Sequence, residues 1–252
     1  MGGPMAINLA RAGYEVTGYD VDARRFDGLH GVTRAGSVAE VVDASDGVVI
    51  SIVRTLAQTQ AVSAEVHQRG ALLVIMSTID PTSMQGLSAL LAERGVEVVD
   101  APVSGGVTGA VEATLAIMFA GSPAAKARVR PLFEAMGSNI FDMGDRAGLG
   151  QAVKLAHQVM MAANIHGVVE GMKLATHYGL EEGRVGEVVA TGVGASFVVE
   201  NWERIKRDYT EGNAYEIVYK DLRSIMNAAA EERIPLPITA LGFNRMGDIW
   251  GK

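Results

Sequence analysis

The sequence predicts an α/β domain, with a doubly wound parallel sheet, followed by an all-α domain. Three observations predict it. From residue 14 to about 143, short Val- and Ile-rich runs alternate with helical stretches. The runs GVVISIV and LLVIM lack polar alternation, as parallel strands covered on both faces do. Beyond residue 150, helical stretches follow one another with no convincing strand between them.

Taken in order, residues 4–12 read as a helix ended by Gly13, and 14–19 (YEVTGY) as a strand ending at Asp20. Further strands are expected at 47–53, 72–76, 96–99, 114–120 and 139–141. Helices are expected at 38–44, 57–69, 83–94 and 124–136; Pro81 and Ser83 mark the entry of the third of these and Gly95 its exit. Residues 151–178 read as one helix closed by Gly179, roughly 40 Å long at 1.5 Å per residue. The remaining helices fall at 182–190, 197–208, 215–232 and 237–246, with Pro235 and Pro237 breaking the chain before the last. The boundary is placed near residues 148–150, giving domains 1–148 and 149–252.

Composition narrows the function. A net charge of -7 argues against a nucleic-acid or anionic-membrane partner, though not against a small anionic substrate. The absence of cysteine excludes disulfides, thiolate zinc sites and cysteine nucleophiles. Five histidines without HExxH spacing give no expectation of a metal site. There is no apolar run of membrane-spanning length and no signal-peptide pattern, so a cytoplasmic location is expected.

The opening residues look like the later part of a dinucleotide-binding unit. Such a unit needs a strand, a glycine turn and a helix whose N-terminus faces a pyrophosphate. Gly2, Pro4 and Met5 lie at that helix start, and Asp20 ends the next strand, 18 residues after Gly2, where an acid accepts hydrogen bonds from the adenosine ribose. Arg24 and Arg25 are the residues that would favour a 2′-phosphate, which Asp20 would repel, so NAD is expected over NADP. The first strand and first two glycines of the unit do not precede Gly2 in this sequence.

Five ordered motifs then carry a resemblance. They are Met1 to Leu9 (MGGPMAINL), Ser77-Thr78-Ile79-Asp80-Pro81, Asp100 to Gly106 (DAPVSGG), Gly148 to Leu155 (GLGQAVKL) and Lys220-Asp221-Leu222. In this order and spacing they resemble the 3-hydroxyisobutyrate dehydrogenase, or β-hydroxyacid dehydrogenase, family across essentially the whole chain. The resemblance implies a Rossmann-like domain followed by a helical one that mediates homodimers or homotetramers. It implies that Ser77, Thr78 and Val53 lie beside the nicotinamide and that Ser104, Gly105 and Gly106 bind substrate. By the same resemblance Lys154 is catalytic, and Lys220 binds substrate or lies near the nicotinamide. Two departures stand out. Lys154 is followed by His157-Gln158 where the family commonly has Asn-Asn, and Val53-Arg54 stands where many members have Leu-Pro. The His-Gln pair is similar to L-threonate dehydrogenases, and glutamine alone to tartronate semialdehyde reductases; lysine followed by histidine is also similar to the more distant 6-phosphogluconate dehydrogenases.

Oxidising an alcohol by hydride transfer requires a base for the hydroxyl proton. A lysine does this only when burial or a second cation disfavours its charged form, and the apolar neighbours of Lys154, with Lys220 as the second cation, suit that need. Gln158 follows Lys154 by one helical turn, in reach of the same substrate. His157 points about 100° away and is either a packing residue or a further substrate contact. The expected activity is hydride transfer between NAD and a small 3-hydroxy acid or sugar acid. The competing expectation is a truncated, inactive or binding-only remnant of the same family, because a missing central strand costs backbone pairing on both sides.

Overall fold

In the computed structural model, which describes residues 1–251, the chain divides into two units, Met1–Lys154 and Leu155–Lys252. The first opens with α1 (Gly2–Arg11), β1 (Val16–Gly18) and a 3₁₀ turn over Ala23–Phe26. There follow β2 (Val32–Arg34), α2 (Val38–Ala44), β3 (Val48–Ser51), α3 (Leu56–Glu65), β4 (Leu72–Ile75), α4 (Pro81–Glu93) and β5 (Glu97–Asp100). Every pairing among these strands is parallel: β1 with β2, and β3-β4-β5 in that order. This is the Rossmann-like arrangement expected of the sequence. Among the described residues β1 and β3 do not pair, so the sheet is interrupted there.

Burial explains why the expected apolar runs became strands. All four residues of β4 are fully buried, and they alternate between two cores. Leu72 and Val74 pack with Val99, Ile117 and Phe119, whereas Leu73 and Ile75 pack with Val49, Met84 and Leu91. A strand covered on both faces gains from being apolar at every position. Helix starts follow their side-chain caps. Ser37 accepts from Glu40 N, Asp80 accepts from Ser83 N, and Thr55 with Gln58 forms a reciprocal capping box.

The unit continues with β6 (Val103–Ser104), α5 (Gly106–Glu112), β7 (Ala116–Phe119), α6 (Pro123–Glu134) and β8 (Asn139–Asp142). β7 pairs antiparallel with β6 and parallel with β8, and a bridge between Asp100 and Ala120 ties this sheet to the end of β5.

α7 (Leu149–His177) begins in the first unit and runs into the second, which comprises α8 (Glu182–Val189), α9 (Phe197–Glu200), α10 (Trp202–Thr210), α11 (Ala214–Glu231) and α12 (Pro237–Trp250). Its core gathers Ile165, Val169, Met172, Leu222, Ile225 and Met246, and Tyr209 stacks on Trp250 with ring centroids 4.5 Å apart.

The elements differ from expectation in a few places. β2, β6 and α5 appear where no element was expected, and the helix expected over 57–69 ends at Glu65 because buried Val66 turns to an extended ψ. The helix expected over 197–208 is two, broken at Asn201, whose φ of -116° and ψ of 24° leave the helical region.

Candidate functional site

In open α/β sheets, ligands bind beyond the carboxyl ends of parallel strands, where loops meet helix N-termini. Here the ends of β3, β4 and β5 are joined by buried and part-buried hydrogen bonds. Val53 N, after β3, donates to Ser77 Oγ after β4 at 2.8 Å. Gln151 on α7 reaches the same loop: its Nε2 donates to Ser77 O at 2.9 Å, and its Oε1 accepts from Ile79 N at 3.1 Å. The same Nε2 donates to Asp100 Oδ1 at 2.8 Å, while Asp100 Oδ2 accepts from Gly148 N at 2.9 Å and Gln151 N at 3.0 Å. Asp100 and Gln151 are both fully buried. Burial outweighs these hydrogen bonds and pushes the Asp100 carboxyl up to about 6.

Two glycines let α7 start against this network. A Cβ on Gly150 would meet Met118 O at 2.5 Å and Asp100 Oδ2 at 3.0 Å, and one on Gly148 would meet Pro81 O at 2.9 Å. Gly148 also has a φ of +94°, which side-chain-bearing residues rarely adopt. Only glycine at both positions admits this approach. Lys154, one turn beyond Gln151, is 7% exposed, so the burial expected for it is present.

Ser104 is half-buried on β6. Gly105 and Gly106 follow with φ of +122° and +63° and turn the chain into α5. The glycines are therefore needed for the turn itself, and both stay exposed, which leaves room for a ligand beside them.

At the other candidate region, Gly2 and Gly3 open α1 in tight quarters. Added Cβ atoms would lie 3.2 Å from Ile52 and 3.1 Å from Leu29. The start of α1 has no side-chain cap, so its first N–H groups keep donors available for an anion. Pro4 is half-buried, whereas the Met5 side chain packs into the core. Asp20 is exposed just after β1, and its Oδ1 accepts from Asp22 N at 2.9 Å. Arg24 donates from Nε to Asp22 at 2.8 Å, and Arg25 lies 3.8 Å from the same carboxylate. That pairing holds the Asp22 carboxyl below its ordinary range. An uncapped helix start, tightly packed glycines and an exposed acid after the next strand suit the diphosphate and ribose of a dinucleotide. Ser77 is buried and Thr78 half-buried.

In the second unit, Gln158 is 5% exposed and Asp221 equally so. Gln158 Nε2 donates to Asp221 Oδ2 at 2.6 Å, Asp221 Oδ1 lies 2.9 Å from Lys220 Nζ, and the exposed His157 places Nδ1 3.1 Å from Gln158 Oε1. Asp221 therefore orients a glutamine as well as its neighbouring lysine.

Sequence reasoning did not single out Asp100 or Gln151, although both lie inside quoted motifs. The usable signal was a charged residue ending an apolar strand, since such a group is seldom buried without partners. Among the described residues there is no cluster of three or more His, Asp or Glu able to hold a metal ion, and no helix long and apolar enough to cross a membrane.

Comparison with known proteins agrees with this arrangement. Residues 1–144 match the family described as the NAD binding domain of 6-phosphogluconate dehydrogenase, and residues 148–247 match the NAD-binding domain of NADP-dependent 3-hydroxyisobutyrate dehydrogenase. The chain is 34% identical to NAD-dependent L-serine dehydrogenase of Pseudomonas aeruginosa, over 97% of this chain and 87% of that one. It is 36% identical to 2-hydroxy-3-oxopropionate reductase of Escherichia coli, over 95% and 85%. The solved structure of Mycobacterium tuberculosis 3-hydroxyisobutyrate dehydrogenase with L-serine superposes with a TM-score of 0.88 at 30% identity, covering 98% of this chain and 90% of that one. With two family profiles in order and relatives aligned over nearly its full length, the chain belongs to the β-hydroxyacid (3-hydroxyisobutyrate) dehydrogenase family of NAD(P)-binding oxidoreductases.

Proposed function

We propose that the protein catalyses reversible hydride transfer between NAD and a small 3-hydroxy acid or sugar acid, of the 3-hydroxyisobutyrate, tartronate semialdehyde or threonate kind, with Lys154 as acid and base. The observation that carries this reading is a buried lysine, 7% exposed, on a helix whose start is locked to the ends of β4 and β5. In oxidation the Lys154 amine takes the hydroxyl proton and the carbinol becomes a carbonyl. The bound nicotinamide supplies the hydride acceptor. In reduction the ammonium returns the proton to the carbonyl oxygen.

Ser104 and the amides of Gly105 and Gly106 are assigned to the substrate carboxylate; with no side chain on either glycine, a ligand can approach the backbone. Gln158, oriented by Asp221, and Lys220 are assigned to the hydroxyl groups and to the nicotinamide side of the substrate. The His157-Gln158 pair tilts the choice towards a polyhydroxylated acid. NAD is preferred over NADP because Asp20 would repel a 2′-phosphate and Asp22 already engages Arg24 and Arg25. A homodimer or homotetramer is proposed, with the exposed Met160 and Leu174 on α7 and Tyr178 just beyond its end as its apolar surface.

The test assays the purified chain with NAD and NADP against a panel of 3-hydroxy and aldonic acids. Turnover with NAD and one such acid supports the reading. Cofactor binding without turnover of any panel member would favour the binding-only alternative.

A further inference from the structure

The deepest charged group in the first unit is one that the proposed chemistry does not use. Asp100 is 0% exposed, on the last residue of β5, and its backbone is occupied by paired bonds to Ala120. Its carboxylate accepts from Gly148 N just before α7, from Gln151 N in the first turn of α7 and from the Gln151 side-chain amide. Gln151 passes the connection on to Ser77 O and Ile79 N, and Ser77 Oγ passes it to Val53 N. Four segments of the chain, at 53, at 77–79, at 100 and at 148–151, thus share one continuous set of hydrogen bonds, buried throughout except for the part-buried link to Val53 N.

Capping alone does not explain this arrangement. Asparagine or serine caps a helix as well as aspartate does and carries no charge into the core. The carboxylate here is held against an unfavourable burial, which raises its pKa to about 6. What a carboxylate offers and an amide does not is acceptance on both oxygens, so that the helix amides and the Gln151 Nε2 are satisfied together. An asparagine would set a second NH₂ against Gln151 Nε2, and turning Gln151 over would break its bonds to Ser77 and Ile79.

We infer that Asp100 and Gln151 are positioning residues: together they set the rotation and height of α7, and so the place of Lys154, against the Val53 and Ser77–Ile79 loops. Lys154 stands three residues, about 4.5 Å of helix rise, beyond Gln151, so an error at the clamp is carried straight to its amine. The close approach of Gly150 to Asp100 Oδ2 and Met118 O gives the same helix turn no room to settle elsewhere. The inference rests on the acid/base role proposed for Lys154.

The experiment compares Asp100→Asn and Gln151→Met with the unaltered chain. Gln151→Met keeps both main-chain bonds to Oδ2 and removes only the side-chain links, so it stays informative where Asp100→Asn does not fold. For each variant, kcat and KM are measured, and the Lys154 Nζ resonance is followed in cofactor-free protein labelled with ¹⁵N at lysine. The expected result is a fall in kcat of about 10- to 100-fold with the KM for the hydroxy acid changed less than about threefold, the pattern of a misplaced catalytic group. The Lys154 resonance is expected to move in both variants. Folded variants with unchanged kcat, a loss confined to KM, or an unmoved resonance would overturn the inference. Lys154→Ala, assayed alongside, separates the two claims. If it keeps full activity, the acid/base reading fails; if it is inactive while both clamp variants turn over normally, only the positioning role fails.

Discussion

Replacing Gly150 with alanine tests the packing of the lysine helix directly, because the same substitution elsewhere in the first unit should have the opposite sign. Within α7, alanine is intrinsically favoured over glycine by up to about 1 kcal/mol. At Gly150, however, the new Cβ would lie 2.5 Å from Met118 O, 3.0 Å from Asp100 Oδ2 and 3.1 Å from Pro102 Cδ. Two of these are a backbone carbonyl and a hydrogen-bonded carboxylate, neither of which can swing aside as the end of a flexible side chain would. Overpacking of this kind costs about 1–3 kcal/mol, so the net expectation is a loss of about 1–2 kcal/mol after the propensity gain. For a protein of this size that is a fall in Tm of roughly 3–6 °C. Gly86, exposed in the middle of α4, has nothing within 4 Å of an added Cβ. There Gly86→Ala should raise Tm by about 2–4 °C. Thermal unfolding followed by circular dichroism reads both. A rise for Gly150→Ala, or shifts of the same sign for the pair, would refute the claim that α7 starts in forced contact with the ends of β5 and β7.

Further predictions concern charge, cofactor and assembly. With its pKa raised from 3.8 to about 6, Asp100 binds a proton more tightly folded than unfolded, so its contribution is fully present below about pH 4 and is lost as pH rises through 6. The stability of the unaltered chain relative to Asp100→Asn should therefore fall by about 3 kcal/mol across that window, and a flat difference in denaturant melts would contradict it. Asp20→Ser should raise the NADP-to-NAD ratio of kcat/KM by about tenfold, roughly 1.4 kcal/mol; an unchanged ratio would remove Asp20 from cofactor choice. Light scattering on a sizing column should give a multiple of 26.5 kDa. Leu174→Asp should lower that mass, and an unaffected oligomer would place its interface away from this face of α7.

How much of this was legible beforehand depends on the range of the interactions involved. The β4 run was readable because burial on both faces makes every residue apolar. β2 was not readable, since three residues with two exposed side chains carry almost no pattern. Nor was α5, whose sequence GVTGAVE has little helix propensity and is set by the turn at Gly105 and Gly106. For the site, motif order located the Lys154 helix, the Ser104 loop and the Ser77 segment. The Asp100–Gln151 bond joins residues 51 apart, and spacing along a chain carries no information about such a pairing. Similarly, the Asp221 contact to Gln158 spans 63 residues, whereas its contact to Lys220 was foreseeable from adjacency alone.

The central claim is that Lys154 moves the proton, and chemical rescue tests it most directly. Lys154→Ala should lose about 10²- to 10⁴-fold in kcat for NAD reduction by the best hydroxy acid, while still binding NAD. Small primary amines added to the assay should restore part of that loss in proportion to their basicity. Turnover by Lys154→Ala at the rate of the unaltered chain, with no response to added amine, would contradict the account.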